Sequence, residues 1–206
     1  MNRPSSLSEL AEFYRGTFLP LYDLFQSQRK VPQELTAEVT AAWDHLFGGG
    51  ASFSKGPPTL GDIQAAAGHL KRGTFDGFKV LFDREIRERR EEFAGDRYAD
   101  VHDGAFRKEV ASAWTEAKGV FLNARTLERK SRIPELERWD AAFAEYQKLV
   151  PLSERFAQWE TDPAVVRARG KSFRQKIFSF LVWFVTLLLG AILGHYLPRW
   201  LQGVGL

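Results

Sequence analysis

The stretch LGDIQAAAGHLKRGTFDGFKVLFDREIRERREEF, residues 60–93, decides the fold class of this chain. Its apolar side chains return every three or four residues, which is the spacing of one face of an α-helix. We therefore predict a helix that is capped by Thr59 and ends near Phe93. Its end, residues 84–92, alternates acids with bases and is predicted to be solvated and salt-bridged.

Helical spacing persists along most of the remaining sequence, and no alternating strand pattern does. A bundle of helices joined by short connections is the fold that this pattern favours. The other predicted helices are 7–28 with a kink or break at Pro20, one that opens at Pro32, a long one at 97–127, one at 134–150, a short one around 156–159, and a last one opened by Asp162 and Pro163.

Composition and charge set limits on function. The 206 residues are 27% charged and 44% hydrophobic, as in a globular domain, and the absence of cysteine excludes disulfides, zinc–thiolate sites and cysteine nucleophiles. The chain carries +3 and the segment from Pro163 onward +6, so residues 1–162 carry −3. Because bases and acids alternate in this acidic part, a general nucleic-acid surface is not predicted there.

An uncharged stretch of 22 residues separates Lys176 from Arg199. As a helix it would extend about 33 Å, enough to cross a hydrocarbon layer of about 30 Å. We therefore predict a transmembrane helix at 177–198. Basic residues are more numerous before this stretch than after it, which predicts a single-pass membrane protein with a cytoplasmic N-terminal body.

These features divide the chain into a cytosolic α-helical bundle at 1–162, a basic juxtamembrane neck at 163–176, the transmembrane helix at 177–198 and a short external tail at 199–206. The layout resembles that of tail-anchored membrane proteins. The basic side chains of the neck are predicted to contact lipid headgroups. They are Arg167, Arg169, Lys171, Arg174 and Lys176.

Small side chains recur every four residues in the apolar stretch, at Thr186, Gly190 and Gly194. On a helix they form one stripe along which two backbones can approach closely. We therefore predict that copies of the chain associate through this stripe.

The sequence RYADVH places four residues between Arg97 and His102. In an all-α protein this pair resembles the Arg-x4–6-His motif of HEPN domains, many of which are ribonucleases in bacterial defence and toxin systems. Some membrane-associated HEPN-like proteins of antiviral systems are also similar in layout. The resemblance implies a composite site between two copies, in which His102 moves a proton of the ribose 2′-OH and Arg97 neutralises phosphate.

The predicted function is that of an oligomeric membrane effector or adaptor in a bacterial defence or stress response, with perturbation of the bilayer as one mode of action. Its expected partners are membrane lipids, further copies of the chain and a protein that binds the bundle. One alternative is a membrane-tethered HEPN-like ribonuclease, for which nucleic acid would be a partner; another is a passive membrane scaffold. No metal site and no cofactor is predicted, because no standard ligand spacing or phosphate-binding loop is present.

Overall fold

A computed structural model describes residues 4–27, 31–48, 56–131 and 139–203, without the side chains of residues 27, 131, 172–176 and 191–203. All regular elements in these ranges are helical, which confirms the all-α prediction. The α-helices are α1 Leu7–Phe13, α2 Leu19–Ser27, α3 Gln33–Phe47, α4 Leu60–Val80, α5 Glu88–Phe93, α6 Ala105–Ser131, α7 Trp139–Gln147, α8 Leu149–Thr161 and α9 Pro163–Gly203.

The first predicted helix continues through Pro20 instead of breaking there. A π-helical turn, Tyr14–Phe18, joins α1 to α2, and the N–H of Leu19 donates to the carbonyl of Tyr14. A proline has no N–H and its ring clashes with the preceding turn of an α-helix. The wider π-helical turn gives that ring room, so the helix continues without a break.

Local start signals predict the following helices correctly. Pro32 precedes the first turn of α3, and Thr59 caps α4 in a capping box with Asp62. In this capping box the Thr59 hydroxyl accepts from the N–H of Asp62, and the Asp62 carboxylate accepts from the N–H of Thr59. A second π-helical segment, Leu81–Arg87, then joins α4 to α5.

Aromatic rings fill the core of the bundle. The Phe78 ring on α4 stacks on Tyr146 of α7 with the ring centroids 5.4 Å apart, and Phe93 meets Phe156 of α8 at 6.5 Å. Such contacts add to the stabilisation that apolar burial provides. The aromatic side chains less than 2% exposed are Phe13, Phe18, Phe25, Phe78, Phe93, Tyr98, Phe106, Tyr146 and Phe156.

The helix predicted at 97–127 begins eight residues later than expected. Two short 3₁₀ turns, Asp96–Tyr98 and Val101–Gly104, precede α6. Tyr98 is fully buried and Val101 is nearly so, which draws this connection into the core. His102 has positive φ, a conformation that an α-helix cannot contain. The prediction that His102 lies in the first turns of a long helix is therefore wrong.

The last helix begins where the sequence predicts. The Asp162 carboxylate accepts from the N–H groups of Ala164 at 2.7 Å and Val165 at 3.3 Å, and Pro163 occupies the first helical position. Val165 is fully buried, so the first turns of α9, which were predicted to form a separate neck, pack against the bundle.

The predicted transmembrane helix at 177–198 is not borne out. Within the residues that the structure describes, no helix combines the length and the apolar character needed to cross a bilayer. The transmembrane prediction, and with it the single-pass membrane location, is therefore wrong.

Candidate functional site

The two 3₁₀ turns and the first turns of α9 line a polar depression of about 390 Å³ that is largely open to solvent, called the cleft below. The HEPN resemblance implied catalysis at Arg97 and His102, and the sequence separately predicted lipid headgroup contacts for the basic residues after Pro163. The structure brings members of both groups together. The charged and titratable residues that line the cleft are Arg97, Asp100, His102, Asp103, Arg167 and Lys171.

The backbone beside the cleft is strained. His102 and Asp103 both lie in the left-handed region, with φ of 50° and 55°, and Gly104 follows with φ of 83°. Left-handed backbone costs an ordinary residue about 1–2 kcal/mol, although His and Asp adopt it more often than most. Strained residues of this kind concentrate at functional sites. The strain therefore marks the His102 side of the cleft as a candidate site.

The imidazole of His102 is held by the residue that caps α9. Its Nε2 lies 3.2 Å from the Asp162 Oδ2, while Oδ1 of the same carboxylate accepts from the first N–H groups of the helix. Burial raises the pKa of Asp162, but these N–H groups and His102 outweigh it, so the pKa lies below the usual range. The ionised carboxylate favours the tautomer with a proton on Nε2, which leaves Nδ1 as a proton acceptor.

The opposite wall of the cleft is one face of α9. Ala164, Arg167, Ala168 and Lys171 recur at spacings of three and four residues and therefore share this face. The two alanines leave space, and the two basic side chains are exposed. Neither Arg167 nor Lys171 is ion-paired with a carboxylate in the described part of the chain.

A carboxylate on α5 fixes how the cleft walls sit on the bundle. The Glu92 Oε1 accepts from Tyr98 Oη at 2.8 Å and Arg97 Nη2 at 3.1 Å, and it lies 2.8 Å from Arg169 Nη2. Arg97 also lies over the Tyr98 ring. Glu92 thus ties both the 3₁₀ turn and α9 to α5. Arg169, predicted to contact lipid, here makes an ion pair within the protein.

Residues 177–190 of α9 are apolar on all sides of the helix. Successive residues on a helix are turned by about 100°, so a continuous apolar run covers every face. The large side chains of this run are between 44% and 69% exposed. They are Ile177, Phe178, Phe180, Leu181, Val182, Trp183, Phe184, Val185, Leu187, Leu188 and Leu189. We call residues 177–190 the apolar segment.

The small residues predicted to mediate helix association lie in or just after this segment. The Thr186 hydroxyl donates to the carbonyl of Val182 at 2.8 Å, which satisfies it within the helix. A Cβ on Gly190 would meet nothing within 4 Å, so its face is open. The side-chain positions of Arg174 and Lys176 and the surroundings of Gly194 lie outside what the structure describes.

Sequence reasoning missed two features of the cleft. Asp162 follows His102 by 60 residues, and no local pattern connects them. The convergence of Arg167 and Lys171 could have been found in part, because their spacing of four residues places them on one helix face. Among the described residues, no group of three or more His, Asp or Glu side chains is arranged to hold a metal ion.

Comparison with known protein families, with curated proteins and with solved structures finds no match to this chain.

Proposed function

We propose that the protein is an assembly module, an oligomeric effector or adaptor whose copies associate through the apolar segment of α9. The observation that supports this function is the exposure of a helix that is apolar on every face. A helix of this kind is stable in water only when other apolar groups cover it. Because every copy of the chain has the same apolar segment, the segment of another copy can cover it.

The magnitude of the burial favours this association. Covering the exposed part of each large side chain contributes about 1 kcal/mol, on the order of 10 kcal/mol for the segment. Association of two molecules costs about 4–15 kcal/mol in lost freedom. A pair of helices covers only one side of each, whereas a bundle of several helices covers more of the apolar surface. We therefore expect assemblies larger than a dimer.

The stripe of Thr186, Gly190 and Gly194 supplies a face for close approach. The apolar segment contains no charged residue, so copies can pack without repulsion between like charges. The acidic bundle, residues 1–162, stays outside this contact and is free to bind a protein partner. In the alternative of a passive scaffold, the same segment would only bring several copies of the bundle close together.

Replacing Phe180 and Leu187 together by glutamate should convert the full-length oligomer to a monomer. The two positions are seven residues apart and share one helix face, so the buried charges would repel and would lose hydration. Sedimentation velocity at a fixed protein concentration measures the change in mass.

The matched control is the pair Trp43→Glu and Phe47→Glu on α3. These side chains are 54% and 41% exposed and stack on each other at 4.9 Å, so they form an apolar patch outside α9. The control should remain oligomeric. Gly190→Leu with Gly194→Leu should weaken crosslinking if the small stripe is the contact face. A monomeric wild type, or an equal loss in the control, would rule out assembly through the apolar segment.

Ribonuclease activity at the cleft is the second candidate function. It is favoured by the position of Arg97 and His102 in one cavity, with His102 oriented by Asp162. In this function His102 Nδ1 accepts the proton of a ribose 2′-OH, and the cationic side chains neutralise the phosphate. The composite site that the HEPN resemblance implies would require two copies, which assembly through α9 would supply.

His102→Ala should lower cleavage of single-stranded RNA by about a hundredfold or more, because proton transfer contributes about 10²–10⁴ to such rates. His45→Ala removes a histidine on α3 that does not line the cleft, and it should leave cleavage unchanged. Rates are measured on full-length protein, with melting temperatures taken in parallel. Absence of cleavage by the wild type would exclude this function.

A further inference from the structure

The cleft contains basic groups that form no ion pair with the residues that the structure describes. Arg167 and Lys171 are one helical turn apart, are exposed, and face the same cavity. Arg169 lies between them in sequence but pairs with Glu92 at 2.8 Å. Within the described ranges, Arg169 is thus the one of the three that makes an ion pair with the bundle. A guanidinium and an ammonium that converge on one cavity are groups that bind phosphate.

The helix itself adds to the positive potential. The N-terminal end of an α-helix is positive, and the first turn of α9 contains no acidic residue. Basic side chains near this end are unfavourable unless an anion neutralises them. The Asp162 carboxylate caps this end of the helix, but it is already engaged by backbone N–H groups and His102. A bound phosphate would supply the missing negative charge.

The wall formed by the 3₁₀ turn has a different chemistry. Asp100 and Asp103 both line it, and carboxylates there would repel a ligand that is anionic throughout. They are suited to accept hydrogen bonds from hydroxyl groups, as acidic residues do from the ribose of bound nucleotides. The left-handed backbone at His102 and Asp103 fixes the direction of this wall. A ligand with phosphate at one end and a diol at the other matches both walls.

The size of the cleft agrees with such a ligand, since pockets for small molecules have volumes of about 300–1,000 Å³ and the cleft has about 390 Å³. We infer that the cleft binds a nucleoside monophosphate, with its phosphate on Arg167 and Lys171 and its ribose hydroxyls on Asp100 and Asp103. This binding requires neither assembly through the apolar segment nor cleavage of RNA.

Isothermal titration of the full-length protein with 5′-AMP, and separately with inorganic phosphate, tests the inference. The wild type should bind 5′-AMP saturably and phosphate more weakly. Arg167→Ala and Lys171→Ala should each weaken both ligands about tenfold or more, because each removes a charge-assisted hydrogen bond. Asp100→Asn with Asp103→Asn should weaken 5′-AMP but not phosphate, since asparagine tolerates the left-handed backbone.

Lys118→Ala, which removes an exposed lysine from α6, is the control and should bind both ligands like the wild type. Each variant is used only if its melting temperature matches that of the wild type; Arg167→Lys, which keeps the charge, should retain binding within a few fold. No titratable heat and no thermal shift with wild type and 5′-AMP would overturn the inference. Binding of single-stranded RNA without binding of 5′-AMP or phosphate would also overturn it, in favour of the ribonuclease function.

Discussion

Replacing Glu128 by alanine is expected to lower the free energy of unfolding by about 3 kcal/mol. Glu128 lies on α6 and is 4% exposed. Its carboxylate accepts from Lys79 Nζ at 2.9 Å and from Tyr146 Oη at 2.8 Å. Without it, the Tyr146 hydroxyl loses its acceptor in the core. Lys79 still forms an ion pair with Asp76 at 2.7 Å. We therefore expect the loss of unfolding free energy to lie at the lower end of the range for a broken buried pair.

The pH dependence of stability gives this prediction a second measurement. Burial raises the pKa of Glu128, but the hydrogen bonds from Lys79 and Tyr146 outweigh it, so the pKa lies below the usual range. A lowered carboxyl pKa stabilises the fold above the unfolded value, about 4.3, and this contribution is lost as pH falls through the folded value. The difference between wild type and Glu128→Ala should therefore be full at pH 7 and shrink below about pH 4.

The matched control is Asp83→Ala, which removes an ion pair that water reaches. Asp83 lies 3.2 Å from Arg87, and the two side chains are 46% and 49% exposed. An exposed pair at this spacing contributes about 0.3–0.5 kcal/mol. Urea denaturation followed by circular dichroism measures both variants. Equal losses in the two would mean that the Glu128 network is no stronger than a surface pair.

The presence of these helices could be predicted from the sequence because the signals that start a helix are local. Thr59, Pro32 and Asp162 act on the turns next to them, and each helix begins where these residues indicate. The apolar spacing of residues 60–93 likewise depends on one helix alone. The prediction of a transmembrane helix at 177–198 rested on the same kind of local signal, and it was wrong.

Features that depend on distant partners were not predictable. The helix end at 84–92 was expected to be solvated, yet Glu85 is 3% exposed and pairs with Arg89, which also contacts Glu160 at 3.1 Å. The late start of α6 has the same origin, because the burial of Tyr98 and Val101 overrides the helical spacing. Tertiary contacts decide both outcomes.

The candidate site also has one part that the sequence predicts and another part that depends on the fold. The RYADVH spacing identified Arg97 and His102, and the structure places both in one cleft. That Arg167 and Lys171 face the same cavity follows only from the packing of α9 against the 3₁₀ turns. A sequence can therefore identify reactive residue types along one segment, while the cavity between segments requires the fold.

A Gly77→Leu variant is expected to lose about 2 kcal/mol of unfolding free energy. A Cβ at this position on α4 would lie 2.6 Å from the Leu21 Cδ2 and 3.0 Å from the Leu35 Cδ1. Both leucines are buried, at 4% and 0% exposure, so neither can turn out into solvent. Overpacking of this kind costs about 1–3 kcal/mol, and a gain in helix propensity of about 0.8 kcal/mol offsets it only in part.

Gly68→Leu on the same helix separates packing from propensity. A Cβ on Gly68 would meet nothing within 4 Å, so this change should bring the propensity gain alone and stabilise the protein by about 0.5–1 kcal/mol. Opposite signs for the two variants in urea denaturation would show that close packing of α4 against Leu21 and Leu35 requires glycine at 77. A stabilised Gly77→Leu variant would instead mean that α4 does not pack this closely against its neighbours in solution.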